Sequence, residues 1–294
     1  MESITTIIMR EDVSLELVPH LKKLKVNIIK IYGSKGESWL TGLPRSVEQL
    51  KDAWGLSKLK PLSNLSYSYV LEGFQGEAPI ILKLSPDTDL TNKEARALDA
   101  FKGFGAVSLL SRKDGILLLE RAVPGTLLKN SDLKESRMEI ACKVMGRLHH
   151  APLPASGLFP HIEEWLAAVD KEWDLPKKHL EMARKLKKNL LKNDPAPKVL
   201  LHGDLHQENI LSYGNGWVVI DPKGVIGCPI HEVWACVEDP LQDLKFLSGY
   251  FGYPFKDIAE WYYVRLILAA CWQAEDSLDT RRFLALAESV LPMI

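Results

Sequence analysis

The stretch VLLHGDLHQENILSYGNGWVVIDPKG, from Val199 to Gly224, constrains this chain more than any other. It reads as a short strand, a polar loop, a second strand and a turn that ends on an acid. Three side chains stand out: Asp204, Asn209 five positions later, and Asp221 seventeen positions after Asp204. Phosphoryl transfer from ATP requires an acid beside the attacking hydroxyl and oxygen ligands that hold Mg²⁺ on the phosphates. These three residues supply that set. The same stretch admits a second reading, in which His202, Asp204 and His206, at H-x-D-x-H spacing, are ligands of a metallohydrolase. Such a site needs further His or Asp ligands from other loops. Beyond Asp221 only His231 stands out as one.

An Asp followed by Asn at the fifth position, and then by a second Asp, is the order of the kinase catalytic loop. HGDLHQEN with the hydrophobic segment ending at Asp221 resembles the aminoglycoside phosphotransferase family, whose hallmark is HGDxHxxN. The continuation IDPKGVIGCPIHEV is similar to its streptomycin- and hydroxyurea-kinase branch. The resemblance implies an α+β, two-lobed protein-kinase-like fold. A small antiparallel-sheet lobe would span residues 1–122 and a mainly helical lobe residues 123–294, with ATP in the cleft between them. Asp204 would orient the acceptor hydroxyl, and Asn209 and Asp221 would be the Mg²⁺ ligands. His202, Gly203 and His206 would shape the loop by hydrogen bonds.

The bounds from the whole chain agree. Its 294 residues suffice for two domains or one two-lobed domain, and 46% hydrophobic with 26% charged residues is ordinary for a soluble globular protein. A net charge of −1 argues against nucleic acid or an anionic membrane as the main partner. Cys142, Cys228, Cys236 and Cys271 show no C-x-x-C or zinc-finger spacing and read as reduced, buried thiols of a cytoplasmic protein. The N-terminal MESITTIIMREDVS has too short an apolar run for a signal peptide, and no stretch approaches the ~20 residues that span a bilayer.

In the N-terminal part, residues 11–32 have helical spacing, and GSKGESWLTGLP at 33–44 reads as a loop. RSVEQLKDAWGL reads as a short helix with Ser46 as N-cap, closed by Gly55. From Leu59 the pattern alternates, giving the strands LSYSYVLEG and PIILKLS around a turn at Gly73–Pro79. Lys83 stands inside the second strand. TNKEARALDAF follows as a helix, with Thr91 as N-cap and Glu94 as the capping-box acid. Read alone, Lys83 could be an edge-strand charge and Glu94 only a cap. With HGDLHQEN downstream they read as the kinase pair, in which the lysine grips the ATP phosphates and the acid orients it.

The turn that covers the phosphates must lie in PLSNLSYSYVLEG, which has no G-x-G. The resembling family often uses Ser, Thr and Asn there, which makes Asn64, Ser66 and Ser68 candidates and Ser66 the one chosen. The segment could equally be an ordinary polar hairpin. Further on, a turn at Asp114-Gly115, the strand ILLLE and a break at Pro124-Gly125 resemble the family's hinge. There the backbone binds adenine, and the resemblance implies the carbonyl of Arg121 and the N–H of Val123.

Residues 131–152 read as an amphipathic helix capped by Ser131-Asp132, with Ile140, Val144 and Leu148 on one face. His149 and His150 fall at its C-terminal end, where histidines satisfy carbonyls more often than they bind metal. Two further helices follow, and Pro195 and Pro197 stop the second before the catalytic strand. Residues 240–294 are mostly helical, with a core helix from Ile258 to Trp272, apolar or aromatic apart from Glu260 and Arg265.

The resemblance implies transfer of the ATP γ-phosphate to a hydroxyl of streptomycin or a related aminoglycoside, or of hydroxyurea. A sugar, amino alcohol or fructosamine would need the same catalytic residues. Aminoglycosides are polycations, so their pocket calls for carboxylates. Glu232 and Asp276 are the residues chosen for it, although Glu232 could equally hold the loop that it follows. The expected partner is a cationic small molecule, and the expected state a monomer or homodimer. A fold of this kind without transfer activity is the remaining alternative. Every residue that the chemistry requires is present.

Overall fold

The computed structural model describes residues 19–63, 65–132, 136–192 and 197–294. Contacts divide the chain into two compact units. The first runs to Ala95 and adds Leu109–Arg121, and the second comprises Arg96–Ser108 and everything from Ala122. Residues 96–108 thus belong with the C-terminal unit, whereas the sequence places them in the N-terminal lobe. The expectations for residues 1–18, Asn64 and Pro195 lie outside the described residues.

The first unit is built on a five-stranded sheet of order β1-β2-β3-β5-β4, with every pairing antiparallel. Its strands are β1 (Leu56–Pro61), β2 (Tyr69–Gln75), β3 (Ala78–Leu84), β4 (Leu109–Lys113) and β5 (Ile116–Glu120). Strand alternation sends Ile80, Leu82 and Leu84 of β3 into the core and leaves Lys83 on the opposite face. The core is closed by helix α1 (Pro19–Trp54), which contributes Leu24, Ile28, Leu40, Leu43 and Leu50.

This helix corrects the loop expected at 33–44. The chain kinks at Gly33 (φ 54, ψ −133), where two helical segments meet, and Pro44 lies inside the second of them. Leu40, Leu43 and Leu50 share one helical face and are buried, and burial of such a face outweighs the weak propensity of scattered glycines. Ser46 is accordingly inside the helix and caps nothing. Gly55, at φ 62, follows its last residue. Strand β1, which the alternation from Leu59 did not separate, comes directly after.

Helix α2 (Thr88–Ala100) begins three residues before the expected cap. Asp87 caps it, its Oδ1 accepting the Leu90 N–H at 2.8 Å. Thr91 lies in the first turn and donates its hydroxyl to the Asp87 carbonyl at 2.7 Å. Glu94 therefore has no capping role.

The second unit holds α3 (Arg137–Leu148), α4 (Ile162–Leu166), α5 (Lys177–Lys192), α6 (Pro240–Phe251), α7 (Phe255–Glu275) and α8 (Arg281–Val290). The cap of α3 is Ser136, which accepts the Glu139 N–H at 3.1 Å, and not Ser131-Asp132. Ile140, Val144 and Leu148 are buried as the periodicity requires. Strand β6 (Pro124–Leu127) begins at the Pro-Gly pair expected to be a break, and joins β8 (Ile210–Tyr213) and β9 (Gly216–Val219) in a sheet of order β6-β8-β9. Strand β7 (Val199–Leu201) pairs with β10 (Val225–Gly227). Helix α7 runs through the core, packed by α5 and α8. The four cysteines are free and buried, and among the described residues no helix is long and apolar enough to cross a membrane.

Candidate active site

In the first unit, Lys83 rises from the central strand toward α2. Its Nζ lies 2.9 Å and 2.8 Å from the two carboxylate oxygens of Glu94, with side chains only 15% and 13% exposed. A charge pair held this far from solvent fixes the ammonium in one place, as a phosphate-binding lysine requires. Ser66 precedes β2, and its carbonyl accepts the Asn27 side-chain amide at 3.0 Å. The Arg121 guanidinium is bound to Glu72, while its N–H donates to the Pro79 carbonyl at 3.2 Å.

In the second unit, the Val123 carbonyl accepts the Gly214 N–H at 2.9 Å. The bonds at Arg121 and Val123 thus use the Arg121 N–H and the Val123 carbonyl, the opposite groups from those assigned to adenine.

The loop after β7 is a hydrogen-bonded turn. The His206 N–H donates to the Asp204 carbonyl at 3.0 Å and the Asn209 N–H to the His206 carbonyl at 2.8 Å. The Asn209 side chain donates its Nδ2 to the Asp204 carbonyl at 2.9 Å, which leaves Oδ1 as the amide's acceptor atom. The next turn is tied to this one. The Ile220 N–H donates to the Asn209 carbonyl at 3.1 Å, and His202 Nε2 donates to the Ile220 carbonyl at 2.9 Å. Asp221 follows at once, between β9 and β10, with a φ of 58 that non-glycine residues rarely adopt. Asp204, 35% exposed at its side chain, and Asn209 and Asp221 are brought together by these bonds.

His202 decides between the two sequence readings. Its Nε2 faces a carbonyl and so carries the proton, and its Nδ1 accepts the Asp204 N–H at 3.3 Å. Burial lowers its pKa from the usual 6.5, which keeps this neutral form in place although Glu232 and Asp204 pull the other way. With both nitrogens engaged, His202 cannot serve as a metal ligand. Among the described residues there is no cluster of three His, Cys, Asp or Glu suited to holding an ion. Among them, His150 Nδ1 lies 2.6 Å from the Gly146 carbonyl, the helix-end role expected of it.

Glu232 is corrected from acceptor ligand to loop support. It is fully buried, and its two oxygens accept the N–H groups of His202 and Gly203, the latter at 2.9 Å. Burial alone would raise its pKa. His149, whose Nε2 lies 3.8 Å away, the nearby His202 and the Gly203 N–H outweigh that and hold it below the usual carboxylate range. Asp276 ends α7 and is exposed. The carboxylates that gather elsewhere are Asp132, Glu238, Asp239 and Asp243. Together with Arg137 and Gln207 of the loop they line a cavity of about 600 Å³.

A residue that sequence reasoning passed over is Arg265. Inside the apolar stretch of α7 it reads as a core position, yet its guanidinium lies beneath the loop and donates Nη2 to the Gly203 carbonyl at 3.5 Å. It lies 4.7 Å from the ring centre of Trp234, 5.6 Å from Trp165 and 5.9 Å from Trp272. A lone arginine in an apolar helix, with tryptophans elsewhere in the chain, was the only signal available.

Asn209 Oδ1 and the Asp221 carboxylate are hard oxygen donors, the set that Mg²⁺ prefers, so these residues fit the ion that the loop pattern implies.

A family model described as aminoglycoside/hydroxyurea antibiotic resistance kinase matches residues 58–249. The chain is 25% identical to streptomycin 6-kinase of Streptomyces glaucescens over 289 residues, covering 89% of this chain and 92% of that one. It is 33% identical to streptomycin 3''-kinase of Klebsiella pneumoniae over 189 residues, covering 60% and 66%. Among solved structures, a thermostable mutant of aminoglycoside phosphotransferase APH(4)-Ia, in ternary complex with AMP-PNP and hygromycin B, superposes with a TM-score of 0.65 at 17% identity over 83% of this chain and 95% of that one. The chain belongs to the aminoglycoside/hydroxyurea antibiotic resistance kinase family and has its kinase-like α+β fold. It is a phosphotransferase.

Proposed function

We propose that the chain transfers the γ-phosphate of ATP to a hydroxyl of an aminoglycoside, streptomycin first, in a Mg²⁺-dependent reaction. The observation that carries this reading is the bonded turn in which Asn209 holds the Asp204 carbonyl and Ile220, next to Asp221, holds Asn209. In this reading Asp204 accepts the hydrogen bond of the acceptor hydroxyl and aims it. An ordinary Asp is a weak base at neutral pH, so orientation contributes more than proton removal. Lys83, fixed by Glu94, binds the α- and β-phosphates. Ser66 faces the phosphates, and the Arg121 carbonyl and Val123 N–H bind the adenine edge. Asn209 and Asp221 hold Mg²⁺, which when bound neutralises charge that develops on the phosphates.

Two observations favour an aminoglycoside acceptor. Two relatives of the chain are streptomycin kinases, beside a hydroxyurea phosphotransferase, and the cavity beside Gln207 carries four carboxylates, which complement a polycation. Asp276 is retained as a candidate contact on the same unit. A cytoplasmic setting, where ATP is available, suits the four free thiols.

The test is ADP release by the purified protein with ATP and Mg²⁺, with and without streptomycin, beside Asp204→Asn. Streptomycin-dependent release that the variant lacks is the expected result. Release with hydroxyurea or an amino alcohol in place of streptomycin would keep the mechanism and change the acceptor. Nucleotide binding without turnover on any acceptor would overturn the catalytic reading.

A further inference from the structure

We propose that Arg265 is a positioning residue of the transfer reaction, fixing the His202–Asp204 backbone from inside the core and through it the direction of the Asp204 carboxylate. The proposal rests on the reading of Asp204 given above.

A guanidinium is expensive to bury, and Arg265 is buried to 2% exposure on a helix whose neighbours are apolar. Its surroundings compensate only in part. Three indole rings face it, one long hydrogen bond reaches Gly203, and Nε and Nη1 have no hydrogen-bond partner among the described residues. A methionine or leucine would fill this space at lower cost. A charge kept in such a place is explained by what it faces, and it faces the catalytic loop.

Two buried, oppositely charged groups grip successive peptides of this stretch. The Glu232 carboxylate accepts the N–H groups of His202 and Gly203, and the Arg265 guanidinium donates to the carbonyl of Gly203. Gly203 sits at φ 88, where the peptide on either side could rotate if it were not held. The next residue is Asp204, so rotation of the Gly203–Asp204 peptide would swing the carboxylate. Burial lowers the Arg265 pKa to about 10, which leaves the group charged at neutral pH. The aromatic faces of Trp234, Trp165 and Trp272 hold the planar cation in one orientation.

The experiment compares wild type, Arg265→Met and Arg265→Lys in steady-state ADP release and in hydrogen exchange of the peptides covering residues 199–206 and 258–271. Arg265→Met preserves volume and removes the charge. The expected result is a fall in kcat of about ten- to a hundredfold with the KM for ATP within about twofold, because misplacement of a reacting group costs rate and not nucleotide affinity. Arg265→Lys, which keeps a charge without the planar fork, is expected to recover part of kcat. Exchange at 199–206 should quicken in Arg265→Met while 258–271 stays protected. Unchanged kcat, or a loss matched by equal loss of protection in both segments, would overturn the proposal. A wild type without turnover would sink the functional reading instead, and the exchange comparison alone would then decide whether Arg265 holds the loop.

Discussion

The side-chain amide of Asn209 donates to the main-chain carbonyl of Asp204 across 2.9 Å, so the proposed metal ligand and the proposed catalytic aspartate are parts of one turn. The two functions of that amide are separable. Asn209→Ala removes both the donor and the oxygen, and is expected to raise the Mg²⁺ concentration for half-maximal rate and to lower kcat by about a hundredfold. Asn209→Asp keeps an oxygen ligand but sets a carboxylate against the Asp204 carbonyl. It should lose rate while keeping a metal requirement near that of wild type. A Mg²⁺ titration of ADP release separates the two, and identical metal dependence in all three proteins would remove Asn209 from the ligand set.

Lys83 and Glu94 form a nearly buried pair, so a change to either exposes the other. Lys83→Met should raise the KM for ATP about tenfold or more, because the phosphates lose their cation, and should cost roughly 1.5–3 kcal/mol of stability through the loss of the two bonds to the Glu94 carboxylate. Glu94→Gln keeps hydrogen-bonding capacity and should affect KM less. In the double variant the stability loss should be smaller than the sum of the single losses, a coupling that urea unfolding of all four proteins measures. Additive losses would mean that the pair contributes no mutual stabilisation.

The motifs of this chain were easier to read than its elements, for a physical reason. HGDLHQEN and the Asp221 turn carry chemistry in residue identity, so Asp204, Asn209 and Asp221 stood out before any fold was known, and Lys83 took its meaning from them. Glu94 was found by its position after Lys83, although the helix start assigned to it was wrong. Thr91 was read as the cap because Glu94 stands three residues after it, at capping-box spacing, whereas Leu90 stands three after Asp87. The segment 33–44 looked like a loop because its glycines and Pro44 are visible locally, while the sheet that buries Leu40 and Leu43 is not. Glu232 and Arg265 show the same limit at the site. Their work depends on which backbone groups lie above them, and that is a property of packing that spacing along the chain does not carry.

Gly203 should tolerate no side chain. A Cβ there would lie 2.7 Å from Cη2 of Trp165, and the residue sits at φ 88. Gly203→Ala is expected to cost about 1–3 kcal/mol for the backbone conformation alone, with the Trp165 contact adding to it. Trp165→Leu in the same protein should relieve the contact and not the backbone cost, so the double variant should recover Tm only in part. Full recovery would show that the φ of Gly203 carries no penalty, and no recovery that Trp165 is not the obstacle.

The buried groups under the loop predict how stability responds to acid. His202 and Glu232 both have pKa values below their ordinary 6.5 and 4.5, so the folded chain binds fewer protons than the unfolded one in each case. Their contribution is complete above those ordinary values and is lost as pH falls, first as His202 of the unfolded chain titrates below about 6.5 and then as Glu232 does below about 4.5. The Tm should therefore decline in two stages between pH 7 and pH 4. Other lowered carboxyls, among them Glu163 and Glu208, act in the lower range as well, so the wild-type curve alone does not identify Glu232. Glu232→Gln does. It cannot accept both the His202 and Gly203 N–H groups, so it should lose roughly 2–4 kcal/mol at neutral pH. It should also show a shallower decline below pH 4.5, where the wild type is losing a charge that the variant never had. Parallel Tm curves for the two proteins, offset or not, would mean that the Glu232 carboxylate is not the group whose protonation loosens the loop.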